Sequence, residues 1–212
     1  MSERMLADAT VALVRRDNAL AQKVITADQR LDNLQREVEE KAVLTIARRQ
    51  PLADDLRELI SGIRIAADIE RVGDLAKNIS KRAVAISGQF SPPHRAVVGL
   101  EHMSRLVQGQ LKDVLDAYAA GDDRKAMDVW RRDDEIDALY TSLFRELLTY
   151  MMEDPRNITF CTHLLFCAKN VERIGDHTTN IAETIHYLVT GEAPSDARPK
   201  LDTTNIAVEA SS

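Results

Sequence analysis

Acidic residues recur in pairs four positions apart at matching places in this sequence. Two of the pairs bracket a repeated segment, which reads Glu-Arg-Val-Gly-Asp at residues 70–74 and Glu-Arg-Ile-Gly-Asp at residues 172–176. Residues four apart share one face of a helix, so each pair directs two carboxylates the same way. Converging carboxylates are typical ligands of a hard metal ion. The candidate ligands are Asp28, Asp32, Glu70, Asp74, Asp133, Asp137, Glu172 and Asp176.

Holding such acids together costs free energy unless something offsets their charge. A like-charge pair four residues apart on an exposed helix costs about 0.2 to 0.5 kcal/mol. Four carboxylates on two neighbouring helices cost more, at about 4 kcal/mol per close pair for an effective dielectric constant of about 20. A bound cation would offset that cost, and an all-oxygen ligand set favours ions such as Mg, Mn, Ca or iron over zinc.

Two interpretations without a metal remain open. A solvated charged face is the ordinary explanation for any single acidic pair on a helix. Arg71 and Arg173 each precede the second acid of their segment by three residues and could instead form plain ion pairs with it. Lys77 is replaced by threonine in the second copy. The two copies therefore share the carboxylates but not every basic residue beside them.

Other residue types also repeat beside the acids. Gly73 and Gly175 each cost about 0.8 to 1 kcal/mol in a helix interior, so their recurrence indicates a close approach, either by another helix or by an ion with its water. The polar residues that could orient the carboxylates are Arg71, Asn78, Arg173 and Asn180.

The acids lie within an internal repeat. Residues 6–32 align without a gap with residues 111–137, and the later segments align at a slightly smaller offset, pairing Glu70 with Glu172 and Asp74 with Asp176. Each copy is long enough for three helices, so the predicted fold is all-α, with two tandem three-helix bundles related by a pseudo-twofold repeat. We expect the first repeat in residues 1–90, the second in residues 91–190, and a disordered tail in residues 191–212.

Helix punctuation supports this division. The predicted helices cover residues 2–16, 18–48, 52–87, 95–120, 122–151 and 155–189. Asp17 and Asp122 are expected to cap helices, Pro51 and Pro155 suit a first helical turn, and the prolines in residues 91–93 end the third helix. The counterpart of residue 95 would precede Met1, so we expect the first helix to be short at its amino end.

Composition excludes several function classes. The formal net charge is -6 and the sequence has no concentrated Lys/Arg stripe, which argues against nucleic-acid binding. The apolar stretch 158–168 is too short to span a membrane, and no signal peptide precedes the first helix, so a cytoplasmic location is expected. Cys161 and Cys167 should be buried apolar residues. No phosphate-binding loop or activated nucleophile is present, and we predict no catalytic residues.

The duplicated Glu-Arg-[Val/Ile]-Gly-Asp segment, its Asp-x-x-x-Asp partners and the stretch Leu-Leu-Thr-Tyr-Met-Met-Glu-Asp at residues 147–154 strongly resemble the PhoU family of phosphate-specific transport accessory and regulatory proteins. The likeness covers about residues 1–190. The resemblance implies two bundles of the PhoU type, with multinuclear metal sites built from the eight acids named above.

The resemblance also implies an adaptor and not an enzyme. Such an adaptor is a negative regulator of the phosphate regulon and modulates phosphate uptake. Its expected partners are the sensor histidine kinase of the regulon, the ATPase subunit of the phosphate ABC transporter and a second copy of itself. The expected cofactors are divalent or trivalent ions, with iron, Mn or Mg favoured and Zn left open. A carboxylate-bridged metalloenzyme and a metal-free structural bundle are the alternatives.

Overall fold

The structure is a computed structural model that describes residues 1–88 and 94–195. Within those residues every regular element is a helix, and a short 3-10 helix at Pro155–Asn157 precedes the last α-helix. The α-helices are α1 (Ser2–Arg15), α2 (Asn18–Arg49), α3 (Asp54–Ile86), α4 (His94–Ala120), α5 (Asp123–Trp130), α6 (Asp133–Glu153) and α7 (Ile158–Thr190). The all-α prediction is confirmed.

The two copies of the repeat have matching turns after their first helices. Arg16, after α1, and Gly121, after α4, both adopt left-handed backbone conformations with φ of 55° and 63°. The next residue in each copy is an aspartate whose side chain accepts a hydrogen bond from the backbone N–H three residues on, at 2.9 Å for Asp17 and 3.0 Å for Asp122. Both predicted caps are therefore present.

One predicted helix is divided in two. The segment predicted at residues 122–151 is interrupted at Arg131 and Arg132, and α6 begins at Asp133. Three acids, Asp133, Asp134 and Glu135, occupy the first turn of α6, where the helix dipole favours negative charge. The guanidinium of Arg132 turns away from the helix to pair with Asp113 of α4 at 3.0 Å. The break places Asp133 at a helix start.

The helices pack as two groups that share one core. Helices α1 to α3 contact each other. In the second group, α4 and α7 contact each other and both pack on α5 and α6, and the groups meet where α3 packs on α7 and α1 on α4. A single hydrophobic cluster runs through both groups and includes the repeat-equivalent pairs Leu6 with Leu111 and Ile79 with Ile181, all at most 1% exposed. The two bundles therefore form one folded body.

The outer half of α2 is covered less than its counterpart in α6. Helix α4 has 27 residues whereas α1 has 14, and only α4 reaches the far end of its bundle. Leu143 of α6 packs beside Gly99 of α4 and is 4% exposed, but the equivalent Val38 of α2 is 39% exposed. The first repeat thus leaves an apolar face open.

Several remaining sequence predictions can be located. The prolines at residues 92–93 and most of the predicted tail, residues 196–212, lie outside the described residues. Helix α7 ends at Thr190, and the next residue, Gly191, caps it with φ 81°. Cys161 and Cys167 are buried and unbonded, as predicted. Across residues 1–88 and 94–195, no helix combines the length and apolarity that a membrane span requires.

Candidate metal centres

The eight candidate ligands fall on two pairs of packed helices. We call Asp28, Asp32, Glu70 and Asp74 the first carboxylate cluster, and Asp133, Asp137, Glu172 and Asp176 the second carboxylate cluster. The first lies on α2 and α3, the second on α6 and α7, and in each case the two helices pack directly on one another. The repeat therefore brings each set of four acids to one helix-helix contact.

The two repeated glycines differ in how closely the neighbouring helix approaches them. A Cβ atom added to Gly73 would penetrate Leu31, which lies between the two aspartates of α2. A Cβ atom added to Gly175 would lie 3.5 Å from Ile136, which is the repeat equivalent of Leu31 on α6. The close packing of α2 on α3 therefore requires glycine at position 73, whereas position 175 has room for a methyl group.

A lysine joins the two sides of the first carboxylate cluster. The ammonium of Lys77 donates a very short hydrogen bond to Asp28 Oδ2 on α2 and another of 2.6 Å to Asp74 Oδ1 on its own helix. Burial lowers the pKa of Lys77, but the hydrogen bonds to Asp28 and Asp74 outweigh it, so the pKa stands above its ordinary value. Asp28 and Asp74 therefore face a common cation.

The negative charges of the first carboxylate cluster act on the pKa of Glu70. Burial raises the pKa of Glu70, the negative charge of Asp74 raises it further, Arg71 opposes the shift, and Asp32 and Asp28 add to it. Asp28 Oδ1 and Asp32 Oδ1 are buried, and neither has a hydrogen-bond partner. Two candidate ligand atoms on α2 are thus buried without a hydrogen-bond donor, while Lys77 pairs with the other oxygen of Asp28.

The second carboxylate cluster has different neighbours. Thr179 Oγ1 donates a hydrogen bond of 2.8 Å to Asp133 Oδ1, and Lys169 Nζ lies 2.8 Å from Glu172 Oε1. Burial raises the pKa of Glu172; the hydrogen bond and charge of Lys169 oppose this, and the charges of Asp176 and Asp137 reinforce it. Glu172 is 5% exposed, and its Oε2 atom is buried without a hydrogen-bond partner.

The carboxylate oxygens of both clusters are the type of ligand that a hard cation prefers, although they do not form a complete coordination shell. Across the described residues, no three His, Cys, Asp or Glu side chains are spaced to hold a metal ion. Buried carboxylate oxygens without a partner are costly, and Asp28, Asp32 and Glu172 each present one. A cation would satisfy these oxygens once the side chains moved inward.

The four polar residues predicted to orient the acids have different surroundings. Arg71 lies 3.7 Å from both Glu70 and Asp74, so the alternative of a plain ion pair is realised in the first repeat. Asn78 and Arg173 are exposed on the surface. Asn180 donates to Asp68 of α3 at 3.5 Å and so faces the other repeat.

Sequence reasoning missed two features of this region. The bridging role of Lys77 was discounted because the lysine does not recur, yet it follows Asp74 by three residues and so shares its helix face. A polar contact between the repeats was not predicted: His177 Nδ1 of α7 lies 2.8 Å from Asp68 Oδ1 of α3. No pattern within one repeat signals that pairing, because it depends on how the repeats pack.

Comparison with known proteins gives consistent matches. The PhoU domain model matches residues 1–83 and 100–185. The chain is 61% identical over 205 residues to the "Phosphate-specific transport system accessory protein PhoU homolog" of Rhizobium meliloti, covering 97% of this chain and 86% of the relative. A relative of the same description from Caulobacter vibrioides is 54% identical over 202 residues, covering 95% and 87%.

Solved structures agree with the fold. The crystal structure of PhoU from Pseudomonas aeruginosa superposes with a TM-score of 0.86 at 39% identity, covering 90% of this chain and 91% of that one. The crystal structure of the phosphate transport system regulatory protein PhoU from Streptococcus pneumoniae gives a TM-score of 0.82 at 27% identity, covering 92% and 91%.

Proposed function

Because this chain belongs to the PhoU family, we propose that it is a metal-binding adaptor that modulates phosphate uptake and represses phosphate-starvation genes. Its relatives carry the names of accessory and regulatory proteins of phosphate transport. The chain is accordingly an accessory protein and not an enzyme.

The observation that carries the metal proposal is the set of buried carboxylate oxygens that lack a hydrogen-bond donor. Asp28, Asp32 and Glu172 each hold one carboxylate oxygen away from water with no donor, at repeat-equivalent helix-helix contacts. An ion such as Mn, Mg or iron supplies positive charge that these oxygens need. The eight acids of the two carboxylate clusters would hold it, and the packing of the paired helices would let acids from both helices share it.

The likeness to accessory and regulatory proteins of phosphate transport carries the proposed adaptor role, and the charge of the chain supports it. The chain has a formal net charge of -6, and its two carboxylate clusters add concentrated negative charge along long helices. Metal binding would neutralise part of that surface and so change which partner it fits. The proposed partners are the phosphate-sensing histidine kinase and the ATPase subunit of the phosphate ABC transporter, on the cytoplasmic side of the membrane, with the chain acting as a homodimer.

The test compares charge-matched variants. We would replace Glu70 with Gln and Asp74 with Asn in one variant, and Glu172 with Gln and Asp176 with Asn in another. The control, Glu37→Gln with Glu40→Gln, removes the same charge from exposed positions of α2. Each variant is purified for elemental analysis and is also expressed in a host that lacks its own homologue and carries a phosphate-starvation reporter.

We expect each cluster variant to lose bound metal and to release the reporter from repression at high phosphate. The control should retain both metal and repression. Cluster variants that keep the metal content of the unmodified chain would overturn the metal proposal, and full repression by metal-depleted variants would overturn the link between metal and regulation.

A further inference from the structure

The equivalent positions of the two repeats carry different chemistry at the carboxylate clusters. Lys77 lies three residues after Asp74 on α3, and Thr179 lies three residues after Asp176 on α7. Each donates a hydrogen bond to the first aspartate of the packed helix, Lys77 to Asp28 and Thr179 to the equivalent Asp133. One location is thus filled by a cation in the first repeat and by a neutral hydroxyl in the second.

We propose that Lys77 is the resident counter-ion of the first carboxylate cluster, and that a metal ion binds there only by displacing the Lys77 ammonium from between Asp28 and Asp74. This inference rests on the proposed metal-binding function. It makes Lys77 the residue that sets the metal affinity of that cluster.

The geometry indicates that a metal ion would replace the Lys77 ammonium and would not bind beside it. The ammonium contacts carboxylates from both helices, and its side chain is 21% exposed whereas that of Asp28 is 8% exposed. A divalent ion bound by Asp28 and Asp74 would sit next to the ammonium, and two cations in close contact repel strongly. Lys77 can leave, because a lysine side chain is long and flexible and can carry its charge to solvent.

The second carboxylate cluster also has a lysine, but in another position. Lys169 precedes Glu172 by three residues and approaches its Oε1 atom, with 39% of the Lys169 side chain exposed. Its repeat equivalent is Ala67, so the two lysines are independent additions. Lys169 leaves Glu172 Oε2 without a hydrogen-bond partner. The location that Lys77 fills in the first repeat is occupied in the second by Thr179, which carries no charge to displace.

The affinity test uses substitutions taken from the opposite repeat. In a background where Glu172→Gln and Asp176→Asn disable the second carboxylate cluster, Lys77→Thr should lower the Kd for Mn²⁺ on the order of tenfold, measured by calorimetry. Lys81→Thr, one turn further along α3 at an exposed position, removes the same charge and should leave the Kd within about twofold. Equal Kd values for Lys77→Thr and Lys81→Thr would overturn the proposal.

A second measurement needs no variant. If Mn²⁺ displaces the Lys77 ammonium, the metal should increase the rate at which an amine-acylating reagent labels Lys77, while the labelling of Lys81 stays constant in peptide mass spectra. An unchanged Lys77 rate with Mn²⁺ bound would overturn the inference and leave the proposed function standing. A chain that binds no Mn²⁺ at either cluster would overturn both.

Discussion

Individual carboxylates in this chain are held where their charge is unfavourable. Glu172 is the most buried acid of α7, and both its burial and the neighbouring acids Asp176 and Asp137 raise its pKa against the opposing Lys169. The folded protein therefore holds a proton on Glu172 at pH values where the unfolded chain, with a pKa near 4.5, has lost it. Stability falls as the pH rises through that window.

The Glu172→Gln variant tests this directly. Glutamine cannot ionise, so the metal-free variant should be more stable than the unmodified chain at pH 7, with a smaller difference at pH 4. Thermal unfolding of both chains after metal removal, at the two pH values, gives the comparison. A difference in melting temperature that does not change with pH would show that ionisation of Glu172 carries no cost.

At the scale of the helices, close packing beside the acids depends on glycine to different degrees. Gly175 has room for a methyl group against Ile136, so Gly175→Ala should gain helix propensity and stabilise the chain by about 0.4 to 1 kcal/mol. Gly73 has no such room, because its Cβ would penetrate the buried Leu31. Gly73→Ala should therefore destabilise the chain by about 1 to 3 kcal/mol.

Denaturant unfolding of the two glycine variants side by side measures both effects. Because the same substitution is made at equivalent positions, the change in helix propensity is the same in both variants. The difference between their free energies of unfolding therefore reports the room for a methyl group at each position. Equal free energies of unfolding for the two variants would contradict the assignment of Gly73 as the tighter contact.

The open face of α2 gives a second matched pair. Leu143 is packed under α4, so Leu143→Ala should cost about 2 to 5 kcal/mol of stability. Its equivalent Val38 is half-exposed, so Val38→Ala should change the free energy of unfolding by about 0.5 kcal/mol at most. A large loss on Val38→Ala, seen in urea denaturation, would mean that something covers this face in solution.

The helices and the fold were predictable because their signals are local. The aspartate caps at residues 17 and 122 act within one turn, and the internal repeat predicts three helical segments in each half, one of which is divided into α5 and α6. The break before Asp133 escaped prediction because Arg131 and Arg132 are good helix formers, and the pairing of Arg132 with Asp113 requires the packed position of α4.

The candidate sites were predictable only in part. Placing four acids at one helix-helix contact follows from sequence spacing, but the distance between the helices is set by Gly73 and Leu31 in three dimensions. That distance lets Lys77 reach across to Asp28, which no reading of α3 alone could reveal. Likewise, Asp68 and His177 meet because the repeats pack on each other.

At the scale of the whole molecule, the shared core couples the two carboxylate clusters. Because one hydrophobic cluster runs through both repeats, we expect a single unfolding transition in which metal at either cluster stabilises the entire chain. Mn²⁺ at about one hundred times its Kd should add about 2.7 kcal/mol, or about 5 to 10 °C in melting temperature. Two separate calorimetric transitions would show that the repeats unfold independently.

The most direct test of metal binding is a crystal structure of the chain grown with Mn²⁺, with anomalous data that locate the manganese. We predict anomalous peaks at both carboxylate clusters, each bonded to oxygens from two helices, with the Lys77 ammonium moved away from Asp28. Well-ordered acids without an anomalous peak, and with Lys77 still bridging Asp28 and Asp74, would contradict the account.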